Sequence, residues 1–179
     1  MIILLQHYKL IFKIVQVKTL NFVKYVLYCP EKYIKRGIAV VEVITHSRAE
    51  TEEFAQSLAE KISAGTVIAM RGDLGAGKTC FTSGFAKGLG YGGDVNSPTF
   101  AIVNEYVGGR LPLYHFDMYR VNDWEDLYST GYFEYLESGG ILIVEWSENI
   151  ENALPDQIVT VTIETLGDND RKITVEGLS

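Results

Sequence analysis

Cysteine is nearly absent from this chain. Cys29 and Cys80 are the only two among 179 residues. Two thiols cannot staple a small secreted fold, and nothing else points to an oxidising compartment. Histidine is equally sparse: His7 and His46 have no partners at metal-ligand spacing, and no Cys/His zinc pattern exists. Long apolar runs are missing too. The N-terminal stretch is apolar, but Lys9, Lys13, Lys18 and Lys24 interrupt it well short of the ~18 residues a membrane-spanning helix needs. It also lacks the single basic start, apolar block and small-residue cleavage site of a secretory signal. No internal repeat is present. With 47% hydrophobic and 22% charged residues, the chain is neither disordered, collagen-like nor a coiled coil. Its length suits one domain.

Charge is unevenly spread. Residues 1–40 hold seven Lys/Arg against the single acid Glu31, a balance of +6. Residues 41–179 hold nine Lys/Arg against 22 Asp/Glu, a balance of −13. Such an acidic body repels nucleic-acid phosphates at long range, so any nucleic-acid role is expected to run through a partner protein. The basic, apolar segment 1–40 reads either as an amphipathic surface anchor or as sequence outside the functional protein. The second reading is favoured. Lys35-Arg36-Gly37 can be encoded by a purine-rich stretch resembling a ribosome-binding site, and Val40 or Val41 by a GTG start. The expectation is an N-terminal extension over 1–40, from a misassigned start, and one domain over 41–179.

Within that domain, 41–44 reads as a short strand. Ser47 and Glu50 have capping-box spacing, and Phe54, Leu58 and Ile62 follow at four-residue steps, giving a helix to about Ala64. Residues 66–70 form a buried strand, followed by a glycine-rich loop and a helix carrying Phe81, Phe85 and Leu89. Two strands, 100–107 and 113–119, flank a turn at Gly108-Gly109. A short helix begins at Asp123, Ile141-Leu142-Ile143-Val144 is the strongest strand, and 158–164 with 171–176 make a terminal hairpin. Helices interleaved with buried strands predict an α/β fold: a P-loop NTPase-like three-layer sandwich with a mixed, mostly parallel sheet and a terminal β-hairpin.

Gly72-Asp73-Leu74-Gly75-Ala76-Gly77-Lys78-Thr79 matches G-x-x-x-x-G-K-[ST] in full, with a strand before it and a helix after it. Gly75 and Gly77 let the backbone of 74–79 curl so that its N–H groups surround phosphate oxygens. The helix start at Lys78 adds its positive end. Lys78 supplies a point charge to the β- and γ-phosphates, and the Thr79 hydroxyl is a magnesium ligand. Cys80 sits in the first helical turn, where a thiol pKa tends to fall, and reads as a packed small residue rather than a nucleophile. The second metal acid is expected at the end of a neighbouring strand, and Glu145 after Ile141–Val144 fits. Trp146 reads equally as a platform for adenine or as an indole packed under a loop. The N-K-x-D guanine signature is absent, which favours ATP over GTP.

Two polar stretches remain. Pro98 holds Ser97 extended, with Thr99 on its other side; the loop responds to a γ-phosphate or is a plain Ser-Pro turn. In Tyr114-His115-Phe116-Asp117-Met118-Tyr119-Arg120, period two puts His115, Asp117 and Tyr119 on one strand face. That face either carries a carboxylate that orients an attacking water or is simply solvated. Arg120 alone is uninformative.

GDLGAGKT at 72–79, SPTF at 97–100, YHFDMYR at 114–120 and the pair Glu145-Trp146 together resemble the TsaE (YjeE) family of small bacterial P-loop ATPases over about residues 42–165. The resemblance implies slow Mg-ATP hydrolysis supporting N6-threonylcarbamoyladenosine formation at position 37 of tRNAs. The partners it implies are TsaB and TsaD, with tRNA held by those partners, in the cytoplasm and without a membrane. By position, Thr79 and Glu145 match the magnesium residues, Lys78 the phosphate lysine and Asp117 the acid for hydrolysis. Ser97 and Thr99 match the switch-like loop, with Thr99 beside the chemistry, and Trp146 matches the aromatic beside the nucleotide. Leu74, Gly75, Ala76, Gly77 and the Cys80 backbone line the phosphates, and Thr51 lies where an early helix approaches the base. The family usually has a second Thr or Ser where this chain has Cys80, and it has no counterpart of residues 1–40. Two rival readings are a small-molecule P-loop kinase and a non-enzymatic nucleotide-gated adaptor. The first is disfavoured by the wide separation of Arg110, Arg120 and Arg171.

Overall fold

The computed structural model describes residues 2–4, 11–19, 22–28 and 39–178. His7, Cys29 and the 35–37 stretch lie outside the described residues. In chain order the elements are β1 (Ile2–Leu4), β2 (Ile11–Thr19), β3 (Phe22–Tyr28), β4 (Ala39–Thr45), α1 (Arg48–Ala59), β5 (Val67–Arg71) and α2 (Lys78–Gly88). They continue with β6 (Val103–Tyr106), β7 (Leu113–Asp117), α3 (Trp124–Ser129), α4 (Tyr132–Glu137) and β8 (Ile141–Glu145). A 3-10 stretch (Ser147–Ala153), β9 (Val159–Thr165) and β10 (Arg171–Leu178) complete the chain.

All described strands form one sheet in the order β1-β2-β3-β4-β10-β9-β5-β8-β7-β6. The four central strands β9, β5, β8 and β7 are parallel, and the pairs on both flanks are antiparallel. β3 joins the edge of β4 through Leu27↔Glu42 and Tyr28↔Val41. The expected mixed sheet and terminal hairpin are both present.

Composition explains the layering. β5 and β8 are covered on both faces, and their residues are apolar almost without a break. β9 alternates buried and half-buried residues, as a strand with one covered face must. On one face, Phe81, Phe85 and Leu89 of α2 and its C-cap, with Leu58 of α1, meet Ile68, Met70, Ile141 and Ile143. On the other, Leu127, Tyr132 and Ile150 from α3, α4 and the 3-10 stretch meet Val67, Leu142, Val144 and Phe116. Three layers result, as the sequence predicts. Among the described residues, no helix is long and apolar enough to cross a membrane.

Several boundaries differ from the sequence reading. α1 starts as its cap predicts, with the Ser47 hydroxyl accepting from the Glu50 N–H at 3.2 Å. It ends at Ala59 rather than near Ala64, because the Arg110 guanidinium donates to Ala59 O and Ile62 O at 2.8 and 3.1 Å and closes the last turn. The strand expected over 100–107 begins only at Val103. The Ala101 and Ile102 N–H groups both turn back to Pro98 O, and Ile102 has a left-handed φ of 69°. α4 and the 3-10 stretch lacked an apolar period long enough to be read.

α1 and α2 touch backbone to backbone. A Cβ at Gly84 would collide with the main chain of Glu52, and one at Gly88 would come within 2.7 Å of the Ala59 Cβ. These two glycines, one helical turn apart, set the depth at which α2 seats on α1.

Candidate functional site

The site lies where parallel strands end. Met70 of β5 and Asp117 of β7 are both register partners of Glu145 on β8. Three strand ends therefore line up beside the loop that leaves β5, the edge at which open α/β sheets place their ligands.

The loop's shape follows from its glycines. Gly72, Gly75 and Gly77 all have positive φ, at 143°, 79° and 108°. At Gly72 the constraint is also spatial, since a Cβ would sit 2.5 Å from Ile163 O. The Ala76 N–H closes the turn on Asp73 O at 3.1 Å, and the Phe81 N–H bonds Gly77 O at 2.9 Å to start α2. Ala76 is buried, whereas Leu74 is 90% exposed at the tip.

Lys78, from the first turn of α2, folds over this loop. Its Nζ donates to Gly72 O at 2.6 Å and Asp73 O at 3.0 Å, and sits 4.2 Å from the centre of the Trp146 ring. Trp146 follows β8 in a left-handed conformation (φ 57°) and packs against Tyr119 at 5.0 Å. The indole is thus neither a free platform nor merely filler: one face holds the lysine of the loop.

Thr79 donates its hydroxyl to Glu145 Oε1 at 3.1 Å. His115 Nε2 meets the same oxygen at 2.8 Å. His115 is fully buried and Glu145 is 4% exposed. An ionised carboxylate only accepts, so this contact assigns the proton to Nε2. Thr79 and Glu145 present adjacent hard oxygens, a donor set suited to magnesium, which takes few protein ligands alongside phosphate.

Asp117 is the second buried acid. Thr99 donates to its Oδ2 at 2.7 Å and the Tyr119 N–H to its Oδ1 at 3.0 Å. Ser97 and Thr99 hydroxyls lie 2.7 Å apart, so Ser97-Thr99-Asp117 form one hydroxyl-carboxylate chain. The segment carrying them is anchored on both sides. Asn96 O accepts from Tyr106 OH at 2.9 Å and Asn104 Nδ2 at 3.1 Å, and Ile102 O accepts from the Asp117 N–H. Between the anchors, Phe100 projects into solvent beneath Arg120, whose guanidinium carbon is 5.0 Å from its ring.

The face read as either catalytic or solvated is buried at His115 and Asp117. Tyr119 lies beyond the end of β7 and is 59% exposed, so period two does not carry that far. Lys78 with Trp146, Thr79 with Glu145, and Ser97 and Thr99 with Asp117 come together at these neighbouring strand ends. Thr51 does not join their hydrogen bonds: it is buried on α1, with its hydroxyl bonded to Thr45 and Ser47 O. Cys80 packs with its Sγ 3.6 Å from Arg48 O. Burial, aided by Glu52, pushes its thiol up, so the helix start does not activate it. The direction is opposite to the lowering expected from its position. His115 on Glu145 and Arg171 on the Ala76 carbonyl were not singled out from sequence. The first was detectable as a face-mate of Asp117. The second had no sequence signal, because 95 residues separate the partners.

Fold and site together define a three-layer α/β protein built on a strand–glycine-loop–helix unit, with two buried acids at neighbouring strand ends. A family model, the threonylcarbamoyl adenosine biosynthesis protein TsaE, matches residues 45–173. The tRNA threonylcarbamoyladenosine biosynthesis protein TsaE of Bacillus subtilis is 48% identical over 126 residues, 70% of this chain and 78% of that protein. Its namesake in Treponema pallidum is 37% identical over 132 residues, 74% of this chain and 97% of the relative. A crystal structure of Bacillus subtilis YdiB superposes with a TM-score of 0.69 at 37% identity, covering 81% of this chain and 90% of that one. The chain belongs to the TsaE family, whose members serve tRNA threonylcarbamoyladenosine biosynthesis.

Proposed function

We propose that this chain binds Mg-ATP on the 72–79 loop and hydrolyses it slowly in support of threonylcarbamoyladenosine formation on tRNA, acting with TsaB- and TsaD-like partners. The observation that carries the reading is Thr79 and Glu145 sharing a 3.1 Å contact at the foot of the lysine-bearing loop, with Asp117 in register beside them.

Each residue has a task its geometry supports. Lys78 leaves the Gly72 and Asp73 carbonyls and turns to the β- and γ-phosphates, which outbid neutral oxygens for an ammonium. The curled N–H groups of 74–79 and the start of α2 take the remaining phosphate charge. Thr79 and Glu145 would hold the magnesium, which when bound would supply Lewis-acid stabilisation of phosphate charge. His115 steadies Glu145 Oε1. Asp117 keeps a free lone pair on each oxygen and orients the attacking water. Thr99 and Ser97 close over it. Trp146, already against Lys78, flanks the nucleotide.

The contacts of the arginines among the described residues support slow turnover. Arg48 pairs with Glu52, Arg71 with Glu151, Arg110 closes α1, Arg171 holds Ala76 O, and Arg120 lies over Phe100. Charge at the γ-phosphate rests on Lys78 and the metal, and a partner is expected to supply the rest. The acidic body leaves tRNA to the partners.

The test is tRNA modification reconstituted with TsaB, TsaD and ATP, with and without this protein, alongside calorimetry of Mg-ATP. Absence of binding heat from folded protein, alone and with the partners, overturns the reading. So does full modification without it.

A further inference from the structure

The terminal hairpin and the glycine loop are joined through one side chain. Arg171 opens β10, and its Nε donates to Ala76 O at 2.8 Å. Its Nη1 donates to three carbonyls of the hairpin turn: Gly167 at 3.0 Å, Asp168 at 3.3 Å and Asp170 at 2.9 Å. The turn is itself tied down, by the Leu166 N–H on Asp170 O at 3.0 Å and by Asp170 Oδ1 against His46 Nδ1 at 2.9 Å. The guanidinium is thus seated on a fixed turn, with one donor aimed at the glycine loop.

That donor has a geometric consequence. Among the described residues there are no cis peptide bonds. In a planar trans peptide the carbonyl and the following N–H point to opposite sides. With Ala76 O turned to Arg171, the Gly77 N–H points away from it. Gly77 has no Cβ and sits at φ 108°, a conformation that only glycine adopts without strain. The charge-assisted bond from Arg171 holds the Ala76 carbonyl on the side away from the Gly77 N–H.

We propose that Arg171 is a positioning residue for the phosphate cradle: it fixes the 76–77 peptide plane so that the Gly77 N–H faces the bound phosphate. This rests on the reading of 72–79 as that cradle. Arg171 acts through the Ala76 carbonyl.

The test uses the full chain with R171A and R171K, MgADP calorimetry, and the Gly77 amide resonance followed by NMR as inorganic pyrophosphate is added. Lysine keeps the charge but cannot span Ala76 O and the hairpin carbonyls together. Both variants are expected to bind MgADP about tenfold more weakly, the loss of one charged hydrogen bond. The Gly77 amide is expected to shift in the free variants and to respond less to pyrophosphate, while core resonances of α2 and β9 stay in place. If R171A does not fold, R171K carries the test. Binding within twofold of the parent sinks the proposal. So does a Gly77 amide unmoved in folded variants, which would mark the effect as global destabilisation. Failure of the parent chain to bind MgADP at all overturns the cradle reading instead, and this role with it.

Discussion

Asp117 and Glu145 stand side by side as register partners on the parallel strands β7 and β8, both buried. Two like charges this close repel in a low dielectric, so each needs its own donors. They draw on separate segments. Glu145 takes the Thr79 hydroxyl of α2 and the ring of His115. Asp117 takes the Thr99 hydroxyl of the 97–100 loop and the Tyr119 N–H. The division gives two carboxylates with different neighbours and, in the proposed function, different tasks.

Glu145→Gln keeps the volume and one acceptor oxygen but removes the charge. The variant is expected to fold normally and to bind ATP in EDTA as the parent does. In magnesium its affinity should fall by at least about tenfold, because a charged partner becomes a neutral one. Calorimetry with and without the metal reads this. An unchanged magnesium dependence removes Glu145 from the metal site.

Asp117→Asn separates hydrolysis from binding. The amide can still accept from Thr99, so the loop stays placed, but it is a poor base. Mg-ATP affinity is expected to hold while phosphate release falls roughly 10²–10⁴-fold, the usual range for losing an acid-base group. A variant that supports tRNA modification in full would favour a nucleotide-gated adaptor over an ATPase.

How much was legible depended on the range of the signal. The 72–79 motif, the Ile141–Glu145 strand and the SPTF and HFD stretches are local, and the structure sets the residues they carry beside one another. Short elements were not legible. α4 has six residues, too few for a helical period, and Asp123, which caps α3, gave only that helix's start. Contacts made through backbone carbonyls were the least visible. Arg110 ends α1 and Arg171 grips Ala76 O, and a carbonyl leaves no mark in the sequence at either partner. Gly84 and Gly88 carry no signal of their own in the sequence, and the α1–α2 contact shows the space they leave.

That contact sets a third expectation. In a solvent-facing helix Gly→Ala adds about 1 kcal/mol of stability. At Gly84 the new methyl collides with the Glu52 backbone, and α1 has to move. Overpacking of this kind costs about 1–3 kcal/mol. Gly84→Ala should therefore melt several degrees lower than the parent, whereas Gly92→Ala, with open space around its Cβ, should not. Calorimetric or dichroism melts compare the two. Equal melting temperatures would mean that the helices are not locked at this depth.

Glu52 ties the same two helices by charge. Lys87 of α2 bonds its Oε2 at 2.6 Å and Arg48 its Oε1 at 2.9 Å. Those two hydrogen bonds, Lys87 first, hold the carboxyl below its ordinary value of 4.5, against the opposing pull of burial. A carboxyl whose folded value is depressed stabilises the fold fully above its unfolded value. That stabilisation is lost as pH falls through the folded value. The parent should therefore lose stability relative to Glu52→Gln as pH drops from 5 toward 2, with the two curves parallel above that window. The difference should be below about 1 kcal/mol, because Lys87 and Arg48 are 52% and 75% exposed and their charges are screened. Urea unfolding of both proteins across that range measures it, and high salt should shrink it further. Curves that stay parallel down to pH 2 would show that the Glu52 cluster adds nothing to the seating of α2 on α1.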